Sequence, residues 1–311
     1  MSIAIVDPSG QPDDDALKRN IAALEQSGIK CSFIRYCQSH GDRLGIQGIS
    51  ARLAILEEAL SNHEVIVCAR GGYGASDLIS GLDYDHLKHL PERLVVGFSD
   101  ICALHSALYA QLGWRGIHGP MPGSTLWQTD GPDVAALIEI IENWPEPSIG
   151  RLSVAPAVVP GLAGSDPPQP HQYNGDVIEG KLFGGCLSVL SALVGTRYFP
   201  ADLGQHILFL EDVNESVPQV LRAWNQWLQS GAMDGVSAVV TGCFGHRDPQ
   251  ERARLTALPE LIQERSPVAV FQSTGFGHVS PNVPLMIGAP ARIARGELQF
   301  GSRATDTEMA C

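Results

Sequence analysis

"RLVVGFSDICALHSALYAQLG" (Arg93–Gly113) changes character near its midpoint. Leu94, Val95 and Val96 make a short apolar run of the kind that forms buried strands. From Ile101 onward the apolar residues recur at helical spacing. Gly97, Phe98, Ser99 and Asp100 form the joint. A strand that feeds a helix through so short a joint predicts half of a βαβ unit, and with it a parallel sheet.

The alternation extends in both directions. Upstream, "SIAIVDP", "KCSFIRY" and "EVIVCAR" read as strands, with "DDDALKRNIAALEQSGI" and "ISARLAILEEALSN" as helices between them. Downstream, "RGIHGP" adds a strand and "DGPDVAALIEIIENW" a helix, with Asp130 placed to cap it. From Pro145 to Gly180 the chain becomes rich in Pro and Gly, the composition of a linker with one short strand. "LSVLSALVGT" (helix), "QHILFLED" (strand), "PQVLRAWNQWLQSG" (helix), "VSAVVTGCF" (strand) and "RARLTALPELIQERS" (helix) then follow. "VAVFQST" and "VPLMIGAPARIARGELQFG" close the chain as a β-rich end. The expectation is an α/β protein with a mostly parallel N-terminal sheet and flanking helices over 1–150, a linker over 151–178, and a smaller C-terminal α/β domain over 179–305.

A formal charge of −13 argues against nucleic-acid and anionic-membrane partners, which need clustered Lys and Arg. "MSIAIVDPSG" lacks the basic start and long apolar stretch of a signal peptide, and no apolar run approaches the ~20 residues of a membrane span. The seven cysteines (31, 37, 68, 102, 186, 243 and 311) are odd in number and form no CxxC pair, which suits reduced thiols in a cytoplasm. With no HExxH and no Cys/His cluster at ligand spacing, neither metal nor cofactor is expected.

Polar residues at strand ends are the candidates for chemistry, because functional loops of such sheets lie beyond the carboxyl ends of the strands. Ser99 stands at one. It reads either as a helix N-cap or as a nucleophile whose oxyanion the Asp100 N–H stabilises. "GFSDI" is not the GxSxG elbow, since Ile101 replaces the second Gly. "CARGGYGASDL" puts Gly71, Gly72 and Gly74 directly after a strand, either as a tight turn or as a loop whose N–H groups approach an anion. "ILFLEDVNE" ends a strand in Glu211 and Asp212, with Glu215 beyond; these carboxylates either start the next helix or orient a histidine. His278, in "GFGHVS", is a base of suitable pKa or an exposed bystander.

Taken together, "RGGYGASDL", "GFSDI", "IHGPM", "GKLFGGCLSVLSALVGT", "LFLEDVNE" and "GFGH" resemble, in order and to about residue 290, the LD-carboxypeptidases (muramoyltetrapeptide carboxypeptidases, serine peptidase family S66). The resemblance implies Ser99 as nucleophile, Glu211 as acid and His278 as base. It also implies oxyanion donors from Gly71 or Gly72 and from Asp100, in a cleft where two domains meet. The implied activity is removal of the terminal D-Ala from murein tetrapeptide, an L-to-D bond, during cell-wall recycling in bacterial cytoplasm by a homodimer. Related members instead cleave peptidyl-nucleotide antibiotics. A phosphate- or nucleotide-binding protein without catalysis is the reading from another class. The "RGGYG" loop and Glu215 are placed to hold a zwitterionic peptide. One departure is Cys186, where the family usually has Asn after the paired glycines.

Overall fold

Continuous apolar runs become short, fully covered strands in the first half of the chain. In the computed structural model these are β1 (Ile3–Val6), β2 (Cys31–Arg35), β3 (Val65–Cys68), β4 (Leu94–Gly97) and β5 (Gly116–His118). They lie in the order β5-β4-β3-β1-β2, and each of these pairs is parallel. Every residue of β1, β3, β4 and β5 is buried. Helices cover both faces of such a sheet, which is why its strands read as unbroken runs and not as alternation. The structure describes residues 1–26, 28–35, 43–147, 149–157 and 177–301, without the side chains of 33–35.

The helices Asp14–Gln26, Ile46–Asn62, Cys102–Leu112 and Pro132–Glu142 fall where the apolar periodicity puts them. Asp130 is not the cap of the last; Gly131 holds that position and Pro132 opens the helix. Proline suits that place because its missing N–H would be unpaired there anyway. Two single-turn helices, Ala75–Leu78 and Tyr84–Leu87, are too short to leave a periodic signal.

The chain divides into two units of similar length, one holding Met1–Pro147 with Thr196–Pro200, the other Ser148–Gly195 with Ala201–Cys311. The second unit contains β6 (Gly150–Ser153), β7 (Ala155–Pro156), β8 (Ile178–Cys186), β9 (His206–Val213), β10 (Ala238–Gly245), β11 (Val270–Gly277), β12 (Leu285–Ile287), β13 (Pro290–Ala294) and β14 (Glu297–Phe300). The larger, eight-stranded sheet of the protein runs β6-β14-β13-β8-β9-β10-β11-β7, parallel from β8 to β11 and antiparallel towards both ends. The two end strands are consecutive in the chain, with only Val154 between them. The start of the Pro/Gly-rich stretch thus joins both sheet edges, and Ser273 Oγ ties the seam by donating to the Ser153 carbonyl at 2.8 Å. The rest of that stretch, 158–176, lies outside the described residues.

Two helices differ from expectation. "LSVLSALVGT" is helical only over Leu187–Ser191. "RARLTALPELIQERS" breaks into Pro249–Leu255 and Leu258–Gln263, because Pro259 lacks the N–H that would continue the first helix. The helix Val217–Ser230 buries Val220, Trp224 and Trp227 along one stripe, and Trp227 Nε1 donates to Ser191 Oγ at 2.9 Å.

Candidate active site

Ser99 leaves the end of β4 with φ 63°, in the left-handed region. That conformation costs a non-glycine residue roughly 1–2 kcal/mol. Ser99 is the first residue of the 3-10 turn Ser99–Ile101, which leads into the helix Cys102–Leu112. The cap positions of these two elements are Phe98 and Ile101, and neither is closed by a side-chain hydrogen bond. Facing Ser99 is the loop after β3: a Cβ on Gly71 would sit 2.9 Å from Ser99 Cβ and 3.2 Å from its Oγ. Only glycine lets that backbone lie against the hydroxyl. Gly72 follows with φ 124°, and Gly71 accepts a hydrogen bond at 3.0 Å from the N–H of Gly10.

Asp100 fastens this arrangement from below. Its carboxylate is buried, and Oδ2 accepts from Ser9 Oγ at 2.5 Å and from the Ala75 N–H at 2.8 Å. Three strand-end segments thus meet on one oxygen. Burial raises the Asp100 pKa, against the opposing effect of the Ser9 and Ala75 bonds. Two arginines hold the loop after β1. Arg43 pairs with buried Asp7 at 2.8 Å and donates to the Ser9 carbonyl at 2.6 Å. Fully buried Arg52 donates to the carbonyls of Pro8 at 2.6 Å and Gly74 at 3.0 Å.

In the second unit Glu211 lies in β9 with its side chain wholly inaccessible, and its Oε2 is 2.7 Å from Nδ1 of His278. An ionised carboxylate only accepts, so Nδ1 carries the proton and the lone pair of the neutral ring is at Nε2. His278 directly follows β11. At Gly277 (φ 116°) a Cβ would meet the Cys243 carbonyl at 3.0 Å and Glu211 Oε2 at 3.3 Å. Buried Asn282 accepts from the Gly277 N–H at 3.1 Å, which fixes the turn that carries the imidazole. Burial pushes the His278 pKa down. The charge and hydrogen bond of Glu211, with the charge of Asp212, outweigh burial and hold it above the ordinary value.

Asp212 is buried as well. It accepts from the Ser188 N–H at 2.6 Å, Ser188 Oγ at 3.1 Å, the Val213 N–H at 2.9 Å and Cys186 Sγ at 3.3 Å. Burial and the neighbouring Glu211 charge raise its pKa. Neither acid starts the next helix: Ser216 caps it through a reciprocal box with Gln219. Glu215 is half-buried in the loop between, its pKa raised by burial and by Asp212.

The structure thus gathers Gly71, Gly72, Ser99 and Asp100 in the first unit, and Glu211 with His278 in the second. Sequence reasoning missed Ser9, Arg43, Arg52 and Asn282. "DPSG" follows β1 directly, so the strand-end rule that singled out the other loops points to Ser9 too. Nothing in the sequence pairs Arg43 or Arg52 with that loop. Among the described residues no group of three or more His, Cys, Asp or Glu is arranged to hold a metal ion, and no helix is long and apolar enough to cross a membrane.

A unit with a parallel sheet and a unit whose sheet is parallel at its centre, each with polar groups at strand carboxyl ends, define an α/β protein of the class that builds its sites there. The description of the LD-carboxypeptidase N-terminal domain matches residues 3–119, and that of the LD-carboxypeptidase C-terminal domain matches residues 179–293. The murein tetrapeptide carboxypeptidase of Pseudomonas aeruginosa is 30% identical over 250 residues, 78% of this chain and 76% of its own. Among solved structures, a muramoyltetrapeptide carboxypeptidase from Oxalobacter formigenes superposes with a TM-score of 0.77 at 24% identity, covering 97% of this chain and 99% of that one. The microcin C7 self immunity protein MccF, in complex with aspartyl sulfamoyl adenosine, superposes at 0.74 with 20% identity, covering 97% and 96%. The chain belongs to the LD-carboxypeptidase family, and so to the peptidases.

Proposed function

We propose that the protein is a serine LD-carboxypeptidase that removes the terminal D-Ala of murein tetrapeptide. The observation that carries this reading is the buried Glu211 carboxylate 2.7 Å from His278 Nδ1. A ring so held has its basic nitrogen at Nε2 and gains a charge partner when it takes a proton. In the proposed reaction Ser99 Oγ attacks the scissile carbonyl while His278 takes its proton, and Glu211 stabilises the imidazolium. The N–H groups of Gly71 or Gly72 and of Asp100 hold the oxyanion, each worth about 3 kcal/mol in the transition state. His278 then protonates the departing D-Ala amine, and water, activated by the same ring, resolves the ester on Ser99. Glu215 and the Gly71–Gly72 loop are assigned to the charged groups of the peptide.

The reading places the enzyme in the cytoplasm, as a homodimer, on peptides from cell-wall recycling; sedimentation velocity tests the dimer. Its central test is incubation with murein tetrapeptide and with a peptidyl-nucleotide conjugate, followed by mass spectrometry. Loss of one alanine from the tetrapeptide supports the proposal. Cleavage of the conjugate alone would replace it with an amidase acting on peptidyl-nucleotides, a substrate question the similar TM-scores of the two solved structures leave to this assay. Turnover of neither sinks both.

A further inference from the structure

A cavity of about 590 Å³ lies in the second unit, where the chain joins the two edges of the larger sheet. That is the size of a pocket for a small organic ligand. The pairing of β10 with β11 shapes it. Thr241 pairs with Gln272, but Cys243 pairs with Gly277, so Gly242 alone stands opposite the segment Ser273–Phe276. The extra residues leave the ladder as a bulge, and such irregularities recur beside functional sites. Ser273 and Thr274 of the bulge line one side of the cavity.

The chemistry of the lining is specific. Val154, Phe244, Leu255 and Pro259 supply apolar walls, and Arg252 is the one charged side chain among the described residues that line it. Arg252 Nε donates to the His246 carbonyl at 3.0 Å and Nη2 to the Arg247 carbonyl at 3.4 Å. Those two bonds fix the plane of the guanidinium and leave Nη1 for another acceptor. One fixed guanidinium beside apolar walls matches a single carboxylate on an apolar body. A di- or triphosphate would demand several cations.

We propose that this cavity binds a small monocarboxylate, its carboxylate on Arg252 and its apolar body against Val154, Phe244 and Leu255. The inference does not rest on the roles assigned to Ser99, Glu211 or His278. Cys243 lines the same cavity and is a half-buried free thiol, so its alkylation reports occupancy without any measurement of turnover.

The test is alkylation of the full chain by N-ethylmaleimide at mildly alkaline pH, followed at Cys243 and at Cys31 by peptide mapping. Saturating 4-phenylbutyrate is expected to slow the reaction at Cys243 and leave Cys31 unchanged. The neutral 4-phenylbutyramide should need about tenfold higher concentration, and Arg252→Ala should weaken protection by the acid about tenfold. Arg252 is exposed, so its replacement spares the core, and Arg252→Lys should keep part of the protection. If murein tetrapeptide also protects Cys243, the natural ligand is the substrate's own carboxylate; protection by 4-phenylbutyrate alone marks a separate acid. Equal protection by acid and amide, protection unmoved by Arg252→Ala, or no protection at all would overturn the proposal.

Discussion

Ser99 and Glu211 both stand near the carboxyl end of a buried parallel strand, yet the chain presents them in opposite ways. β4 stops at Gly97, and the backbone turns through Ser99 at φ 63°. β9 runs on through Glu211 to Val213, in register with Cys186 of β8. The turn lifts a short side chain off the sheet edge at the expense of backbone strain. The continuing strand instead holds a long side chain in a dry interior, fully inaccessible, with His278 as its partner. A hydroxyl that is to react needs access, whereas a carboxylate that is to orient a base gains strength from exclusion of water. Each backbone thus suits the role proposed for its residue.

The strongest way to break this comparison is to remove the hydroxyl. Ser99→Ala should cut turnover of the tetrapeptide by several powers of ten, leaving the contribution of the oxyanion donors and of binding. Ser99→Gly should be as inactive, yet more stable than Ser99→Ala by about 0.5–1 kcal/mol in urea unfolding, because both lack the hydroxyl and only glycine adopts φ 63° without strain. Near-normal turnover in either variant removes Ser99 from the chemistry. A Ser99→Gly variant no more stable than Ser99→Ala would mean that the turn stores no strain.

Next in size is the acid. Glu211→Gln keeps the shape but removes the charge, and kcat/KM should fall by about two to four powers of ten. For the wild type, kcat/KM should rise as pH climbs through the His278 pKa, which is held above its ordinary value. In Glu211→Gln the midpoint of that rise should move to lower pH. Stability runs the other way. A raised folded-state pKa stabilises the fold fully below the ordinary imidazole value, and this contribution fades as pH rises through the folded value. The stability difference between wild type and Glu211→Gln should therefore shrink from the acid to the alkaline side in urea titrations. A kcat/KM profile flat across that range rules out His278 as the base.

How legible these arrangements were depends on the range of the interactions. The parallel sheet of the first unit was plain in the sequence because a strand buried on both faces leaves a run such as "EVIVCAR". Only one short strand was legible in the Pro/Gly-rich stretch that holds β6 and β7, because these two pair only at sheet edges, with β14 and β11. Ser99, Glu211 and His278 could be nominated because each sits at a strand end. The left-handed torsion of Ser99 was not legible, because sequence does not encode backbone torsion one residue at a time. The roles of Asp100 and Asp212 were not legible, since their partners Ser9 and Ser188 lie 91 and 24 residues away.

Asp100 supplies the third test, which sharpens the account of the turn. Asp100→Ala strips both hydrogen bonds from one oxygen and leaves the Ser9 hydroxyl and the Ala75 N–H buried without that acceptor. Each orphaned group costs about 1–3 kcal/mol, a loss that denaturant unfolding resolves. Turnover should fall about tenfold with KM little changed, because the Gly71 loop and the Ser99 turn lose a shared anchor while the reacting groups remain. If activity and stability are both retained, the carboxylate does not organise the turn.

The smallest effect is expected at Cys186, the thiol closest in sequence to the family's paired glycines. A thiolate is intrinsically more nucleophilic than a hydroxyl, so Cys186 is the natural rival to Ser99. Its surroundings oppose that role. The side chain is 4% exposed, and its S–H is committed to Asp212 Oδ1 at 3.3 Å. Removing the thiol leaves Asp212 with the Ser188 N–H, the Ser188 hydroxyl and the Val213 N–H. Cys186→Ala should therefore cost no more than about 1.5 kcal/mol of stability and change kcat/KM by only a few-fold. Cys186→Asn restores the residue usual in the family and offers Asp212 an amide donor in place of the S–H, so it should match or exceed the alanine variant in activity. Thermal unfolding and tetrapeptide turnover of the two variants check both expectations. A loss in either that approaches the loss in Ser99→Ala would move the nucleophile from the strained turn of the first unit to the straight strand of the second, and the contrast between the two strand ends would lose its chemical meaning.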